Sequence, residues 1–117
     1  MIDRPDWCIS RQRVWGVPIF LFVNKNDESL HPRSLIILDE IIELIKNNGT
    51  NFWYDFDVFS YFKVDPILYR KVTDVLDVWY DSSSVYEFIL SKFNFYLPFD
   101  LCLEGNDQYR GWFQASL

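Results

Sequence analysis

The chain has 117 residues, of which half are apolar, 20% aromatic and 24% charged, enough to build one hydrophobic core and unlike a disordered composition. A formal charge of −6 excludes a nucleic-acid binder that works through bulk positive charge. No apolar run reaches the roughly 20 residues that cross a bilayer, and Asp3, Arg4, Pro5 and Asp6 interrupt any signal-peptide pattern near Met1.

Residues 7–16 hold Arg11, Gln12 and Arg13 between apolar positions and read as a short helix or turn ended by Gly16. Residues 17–23 form a continuous apolar run and predict a buried strand. The polar stretch 24–29 predicts a hairpin tip, with Leu30 opening the next element. Residues 33–47 form the clearest helix, because Leu35, Leu38, Ile42 and Ile45 recur at helical spacing and Ile41 and Leu44 widen the stripe. Asn47-Asn48-Gly49 supplies its stop. From 51 to 69 the rings are dense and the pattern leaves helix and loop open, with Pro66 breaking any helix begun at Asp57.

Residues 73–80 read as a strand, and Asp81 to Ser84 as a turn into a helix over about 84–93. Residues 100–104 read as a second short strand. Gly105-Asn106-Asp107 then turns into a last helix from about Gln108, with Tyr109, Trp112 and Phe113 facing inward. That helix still runs at Leu117, so the chain reads as truncated there. Cys8 and Cys102 stand far apart without a CxxC, which gives neither a disulfide framework nor a zinc site and fits a reducing compartment. The single His31 cannot anchor a metal cluster.

Two strand–turn–helix units imply part of an open α/β sheet, in which ligands sit beyond the carboxyl ends of the strands. Glu104-Gly105-Asn106-Asp107-Gln108 occupies such an end. Gly105 lets a flat ligand approach the backbone. Asp107 suits a pair of vicinal hydroxyls, and Gln108 offers both a donor and an acceptor. The alternative is that Asp107 simply caps the following helix.

Three motifs make the pattern more specific. Arg4-Pro5-Asp6-Trp7-Cys8-Ile9-Ser10-Arg11-Gln12-Arg13-Val14-Trp15-Gly16-Val17-Pro18 closely resembles the RPDWCISRQRxWGVP signature of class I aminoacyl-tRNA synthetases for branched aliphatic amino acids. Asp77-Val78-Trp79-Tyr80-Asp81-Ser82 is similar to their DVWFDSG segment. Residues 103–113 are similar to LEGSDQHRGWF, the form that marks the bacterial-type isoleucyl branch of the family. Leu30-His31-Pro32-Arg33 also fits the family order. Ser83 stands where the family has Gly, a position that suggests positive φ or close backbone approach; Asn106 replaces Ser and Tyr109 replaces His.

The resemblance implies a fold of class α/β: part of a Rossmann-type nucleotide-binding fold plus the returning segment of the inserted editing region. Residues 1–71 would return from that insertion, and 72–117 would form the second-half catalytic segment, truncated at both ends. It also implies activation of isoleucine with ATP, then transfer to the 3′ end of tRNA in the cytoplasm, with Mg2+ in the full enzyme. By the same resemblance, Glu104, Gly105, Asp107 and Gln108 bind the aminoacyl-adenylate. Trp79 and Trp112 wall the isoleucine side chain, where the plainer alternative is core packing. Arg11 and Arg13 meet tRNA phosphate, or form a solvated or salt-bridged pair. The HIGH and KMSKS motifs are missing from these residues, so the segment is expected to need the remainder of the synthetase and to be inactive alone. The alternative is a non-catalytic split-gene or degenerate piece acting as an assembly module.

Overall fold

The computed structural model describes residues 6–93, 100–101 and 103–116. The chain forms two compact units, Gln12–Val75 and the pair of segments Met1–Arg11 and Leu76–Leu117.

In the Gln12–Val75 unit, β2 (Phe22–Asn24) pairs antiparallel with β3 (Tyr69–Lys71), Phe22 opposite Lys71 and Asn24 opposite Tyr69. The run 17–23 is not one continuous strand. Pro18 makes a lone bridge to Val75, and the Leu21 N–H turns back to the Ile19 carbonyl at 2.9 Å. That tight turn takes one donor out of the ladder. On either side of it the backbone still pairs, with Ile19 N–H on the Asp74 carbonyl at 3.0 Å and Val72 N–H on the Leu21 carbonyl at 2.9 Å. Gly16 is required at its position: φ is +144°, and a Cβ would stand 2.9 Å from the Val75 side chain.

The hairpin tip forms as the polar stretch predicts. Asn24 N–H donates to the Ser29 carbonyl at 2.8 Å and Glu28 N–H to the Asn24 carbonyl at 3.0 Å. Leu30 contributes only a single bridge, to Val23. His31 then packs edge-on against Tyr69 at 4.6 Å, and its Nδ1 accepts the Arg33 N–H at 3.2 Å. Burial, then the Arg33 charge, lowers the His31 pKa.

Helix α1 (Ser34–Asn48) ends where Gly49, at φ +72°, donates its N–H to the Ile45 carbonyl at 2.9 Å. Its buried face differs from the expected stripe. Ile37 and Ile41 are buried, with Leu44 and Ile45 partly so, whereas Leu35 is 80% and Ile42 52% exposed. Apolar residues surround so much of this helix that spacing permits several stripes; the aromatic cluster selects one.

That cluster comes from the stretch left open between helix and loop. It contains α2 (Phe52–Asp55) and α3 (Val58–Phe62). The Asp57 carboxylate begins α3 by accepting the Ser60 N–H at 3.3 Å. Helix α3 ends at Lys63 in a left-handed conformation, φ 55°, before Pro66 is reached. Phe22, Ile37, Ile41, Phe52, Trp53, Val58, Phe62 and Val64 form the core. Trp53 is fully buried. Phe20 stacks on Phe52 with centroids 5.8 Å apart, and Phe22 lies 5.2 Å from both Trp53 and Phe59.

The second unit starts from β1 (Ser10–Arg11), so residues 7–16 hold a short strand followed by bends and no helix. It pairs with β4 (Val75–Leu76), and the Asp77 N–H donates to the Ile9 carbonyl at 2.7 Å. The strand expected over 73–80 stops at Leu76. Asp77 caps a helix instead, its carboxylate accepting the Trp79 N–H at 2.9 Å, and α4 (Val78–Ser83) follows. The turn expected from Asp81 is therefore largely helical, and α5 (Val85–Phe93) continues the chain. Ser83 is helical, with its hydroxyl donating to the Tyr80 carbonyl at 2.8 Å. A positive φ is not used there.

No described residue of the stretch 100–104 is in a strand, and Cys102 lies outside the described residues. The single last helix is split by Gly111 into a 3-10 turn (Asn106–Arg110) and α6 (Trp112–Ser116). The ψ of −124° at Gly111 leaves the helical range. The described strands make only two-stranded sheets, β1–β4 and β2–β3, so the fold is mixed helix and strand.

Candidate functional site

Two arrangements in the second unit concern the residues singled out above. The first begins at Asp77, which is buried at 5% exposure. Its two oxygens are divided. Oδ1 accepts the Trp79 N–H, and Oδ2 accepts from the Arg11 guanidinium. Arg11 also donates to the Ser10 carbonyl at 2.8 Å and to the Cys8 carbonyl. A buried carboxylate needs such partners, because desolvation of an unpaired one is costly.

Cys8 beside this pair is exposed. Its thiol pKa is lowered by a hydrogen bond with the Ser10 hydroxyl at 3.4 Å, with the Arg11 charge contributing less. Arg11 is therefore held in an ion pair, whereas Arg13 is exposed.

Capping by Asp77 also sets where the Trp79 ring goes. Helices α4 and α6 pack together. The ring lies so close over Gly111 that a Cβ there would be 2.7–2.9 Å from three of its carbons. Gly111 is buried and Trp79 remains 36% exposed. Immediately after Gly111, Trp112 stacks on Phe113 with centroids 4.3 Å apart and planes at 20°. The structure thus brings Trp79 to the backbone step that precedes Trp112.

The second arrangement is the stretch 104–108. Gly105 flanks the 3-10 turn, so Asp107 is inside the turn and not at its cap. The Gln108 N–H donates to the Gly105 carbonyl at 3.0 Å. The Gln108 amide donates to Asp107 Oδ2 at 3.3 Å. Asp107 Oδ1 folds back over Gly105, where a Cβ would stand only 2.7 Å from it. Gly105, Asp107 and Gln108 therefore form one small group, with Glu104 and Asp107 both exposed. An exposed carboxylate can accept from ligand hydroxyls, and here its Oδ1 fills the side of Gly105 that a Cβ would take.

Sequence reading allowed Arg11 a salt bridge but did not name Asp77 as its partner, and it missed the dependence of Trp79 on Gly111. An Asp directly before an apolar helical turn was the available signal for the cap. Nothing local signalled its partner 66 positions away.

Comparison with known proteins agrees with the motifs. The family model for class I tRNA synthetases (I, L, M and V) matches residues 1–117. An isoleucine–tRNA ligase of Shewanella amazonensis is 50% identical over 118 residues, covering 98% of this chain and 12% of that protein. The isoleucine–tRNA ligase of Haemophilus influenzae strain KW20 is 49% identical over 118 residues, again 98% and 12%. That of Buchnera aphidicola subsp. Cinara cedri is 46% identical over 119 residues, 97% and 12%. The chain spans about 12% of the length of these curated relatives. Matched along its whole length by the family model, the chain belongs to the class I tRNA synthetases.

Proposed function

We propose that this chain is a segment of an isoleucine–tRNA ligase and supplies part of its aminoacyl-adenylate site. The observation that carries the reading is the group formed by Gly105, Asp107 and Gln108 within the isoleucyl motif. In this reading Asp107 accepts hydrogen bonds from the ribose hydroxyls of the adenylate, and Gly105 allows the sugar to lie against the backbone. Gln108 contacts the amino-acid end, and Glu104 completes the polar side. Trp79 and Trp112 supply apolar walls for the isoleucine side chain.

The reaction has two steps. The isoleucine carboxylate attacks the α-phosphorus of ATP and pyrophosphate leaves. A ribose hydroxyl at the 3′ end of tRNA then attacks the acyl carbon and AMP leaves. No side chain here need form a covalent bond; these residues bind and orient. Among the described residues no group of three or more His, Cys, Asp or Glu is placed to hold a metal ion. Mg2+ with the ATP phosphates is what the family resemblance implies for the full enzyme.

We also assign residues 72–117 to the second half of the Rossmann-type catalytic fold and 1–71 to the return from the inserted editing region. Exposed Arg13 suits a tRNA phosphate. Among the described residues no helix is long and apolar enough to cross a membrane; a cytoplasmic place rests on the family resemblance alone.

Isoleucine-dependent ATP–pyrophosphate exchange tests the reading. The full-length chain carrying this segment should catalyse it, and residues 1–117 alone should not. No exchange by the full-length chain overturns the ligase assignment. Exchange by the 117 residues alone overturns their dependence on the remainder.

Within the full-length chain, Trp112→Ala should raise the isoleucine KM roughly tenfold or more, since burying one large apolar side chain contributes roughly 1.5–3 kcal/mol. Asp107→Ala should raise the ATP KM and leave the isoleucine KM much less affected. Steady-state exchange kinetics separate the two. An unchanged isoleucine KM in the first variant returns Trp112 to a packing role, and equal effects in the second remove the ribose role of Asp107.

A further inference from the structure

We infer that Arg11 is a positioning residue for the isoleucine pocket: through Asp77 it sets the place of the Trp79 ring. The inference rests on the ligase reading above. Two backbone carbonyls, those of Ser10 and Cys8, hold the guanidinium. The guanidinium in turn holds Oδ2 of Asp77, and the Asp77 backbone is tied to the Ile9 carbonyl at 2.7 Å.

With one oxygen engaged, the buried carboxylate cannot rotate freely. Its other oxygen is aimed at the Trp79 N–H, 2.9 Å away. That contact starts α4, and α4 carries the ring onto Gly111, where no space remains for even a Cβ. Each link is a direct hydrogen bond or van der Waals contact. A shift at Arg11 is therefore passed to Trp79, and the segment around β1 determines one wall of the pocket through Asp77, 66 positions further along the chain. Side chains of this kind act on substrate only through the group they hold, and a displacement of about 1 Å can cost on the order of 100-fold in rate.

This differs from a direct phosphate contact. The nitrogen that would face a phosphate fork already faces Asp77. Lysine can restore the charge but not the forked set of bonds to a carboxylate and two carbonyls.

The test uses the full-length chain with Arg11→Lys, Arg11→Met and Trp79→Phe. Active sites are titrated first by the burst of adenylate, so that misfolded protein does not enter the rates. Arg11→Met is expected to raise the isoleucine KM about tenfold or more per active site, with Arg11→Lys between it and wild type. The KM values for ATP and tRNA should stay within about twofold, and Arg11→Met combined with Trp79→Phe should cost much less than the product of the single effects.

Fewer active sites with an unchanged isoleucine KM would make Arg11 merely structural and overturn the inference. So would full additivity with Trp79→Phe, or a raised tRNA KM alone, which would mean a phosphate contact. Should Arg11→Met not fold, Arg11→Lys decides by the same criteria. A wild-type chain without isoleucine-dependent exchange overturns the ligase reading, and this inference with it.

Discussion

Trp53→Ala is expected to lower the stability of the Gln12–Val75 unit by about 3–5 kcal/mol, the range for emptying a buried large aromatic site. Trp53 is fully buried and touches Phe20, Phe22 and Phe52. Its indole N–H donates to the Val72 carbonyl at 2.9 Å. Its own carbonyl accepts from Lys71 Nζ at 2.7 Å, and that ammonium lies 5.9 Å from the Trp53 ring. Alanine removes the ring contacts, opens a cavity and leaves the Val72 carbonyl short of a partner. Small domains have only about 5–15 kcal/mol in total, so this is a large share of the unit's stability and its urea midpoint should fall clearly. Urea titration of the purified chain followed by far-UV circular dichroism checks it. Trp53→Phe retains most of the packing and should lose less. An unchanged urea midpoint for the alanine variant would show that the ring does not hold the unit.

Asp77→Ala is expected to cost about 2–3 kcal/mol in the second unit. Losing the cap of α4 accounts for about 1 kcal/mol, and losing the charge-assisted bond from Arg11 for roughly 1.5 kcal/mol or more. The lower end is appropriate because the Arg11 side chain is 39% exposed and can return to water. Asp77→Asn keeps an acceptor for the Trp79 N–H and loses the negative charge, so it should cost clearly less than alanine. The urea midpoints of the two variants against wild type check the order. Equal midpoints for alanine and asparagine would mean that the cap contributes nothing.

The elements that could be read in advance are those whose cause is local. The turn at 24–29 closes through its own backbone, and α1 stops at a glycine that takes positive φ. Helix α5 lies at Val85–Phe93, close to the 84–93 expected after the Asp81–Ser84 stretch. The errors fall where two local readings competed. Val78-Trp79-Tyr80 has strand-favouring residues, yet the Asp77 cap makes them helical. The apolar residues around α1 permit several buried faces, and Leu35 and Ile42 lie on the one left to solvent. The adenylate candidates were named from the expected end of a strand over 100–104 and from their motif; no described residue of that stretch is in a strand, so the motif is what remains. Their short contacts, Gln108 to Asp107 and Asp107 over Gly105, are local to four residues and add geometry that the motif does not contain.

By itself, then, the sequence determined the family, because three long motifs in order survive without reference to any contact. It also determined the turns and stops that depend on glycine and on short polar side chains. Only the tertiary structure decided which face of α1 is buried, that Trp53 is the centre of a core, and that Arg11 meets Asp77 across 66 positions. The physical reason is range. Backbone conformation and capping act over a few residues, whereas burial and ion pairing depend on which distant side chains the fold brings together.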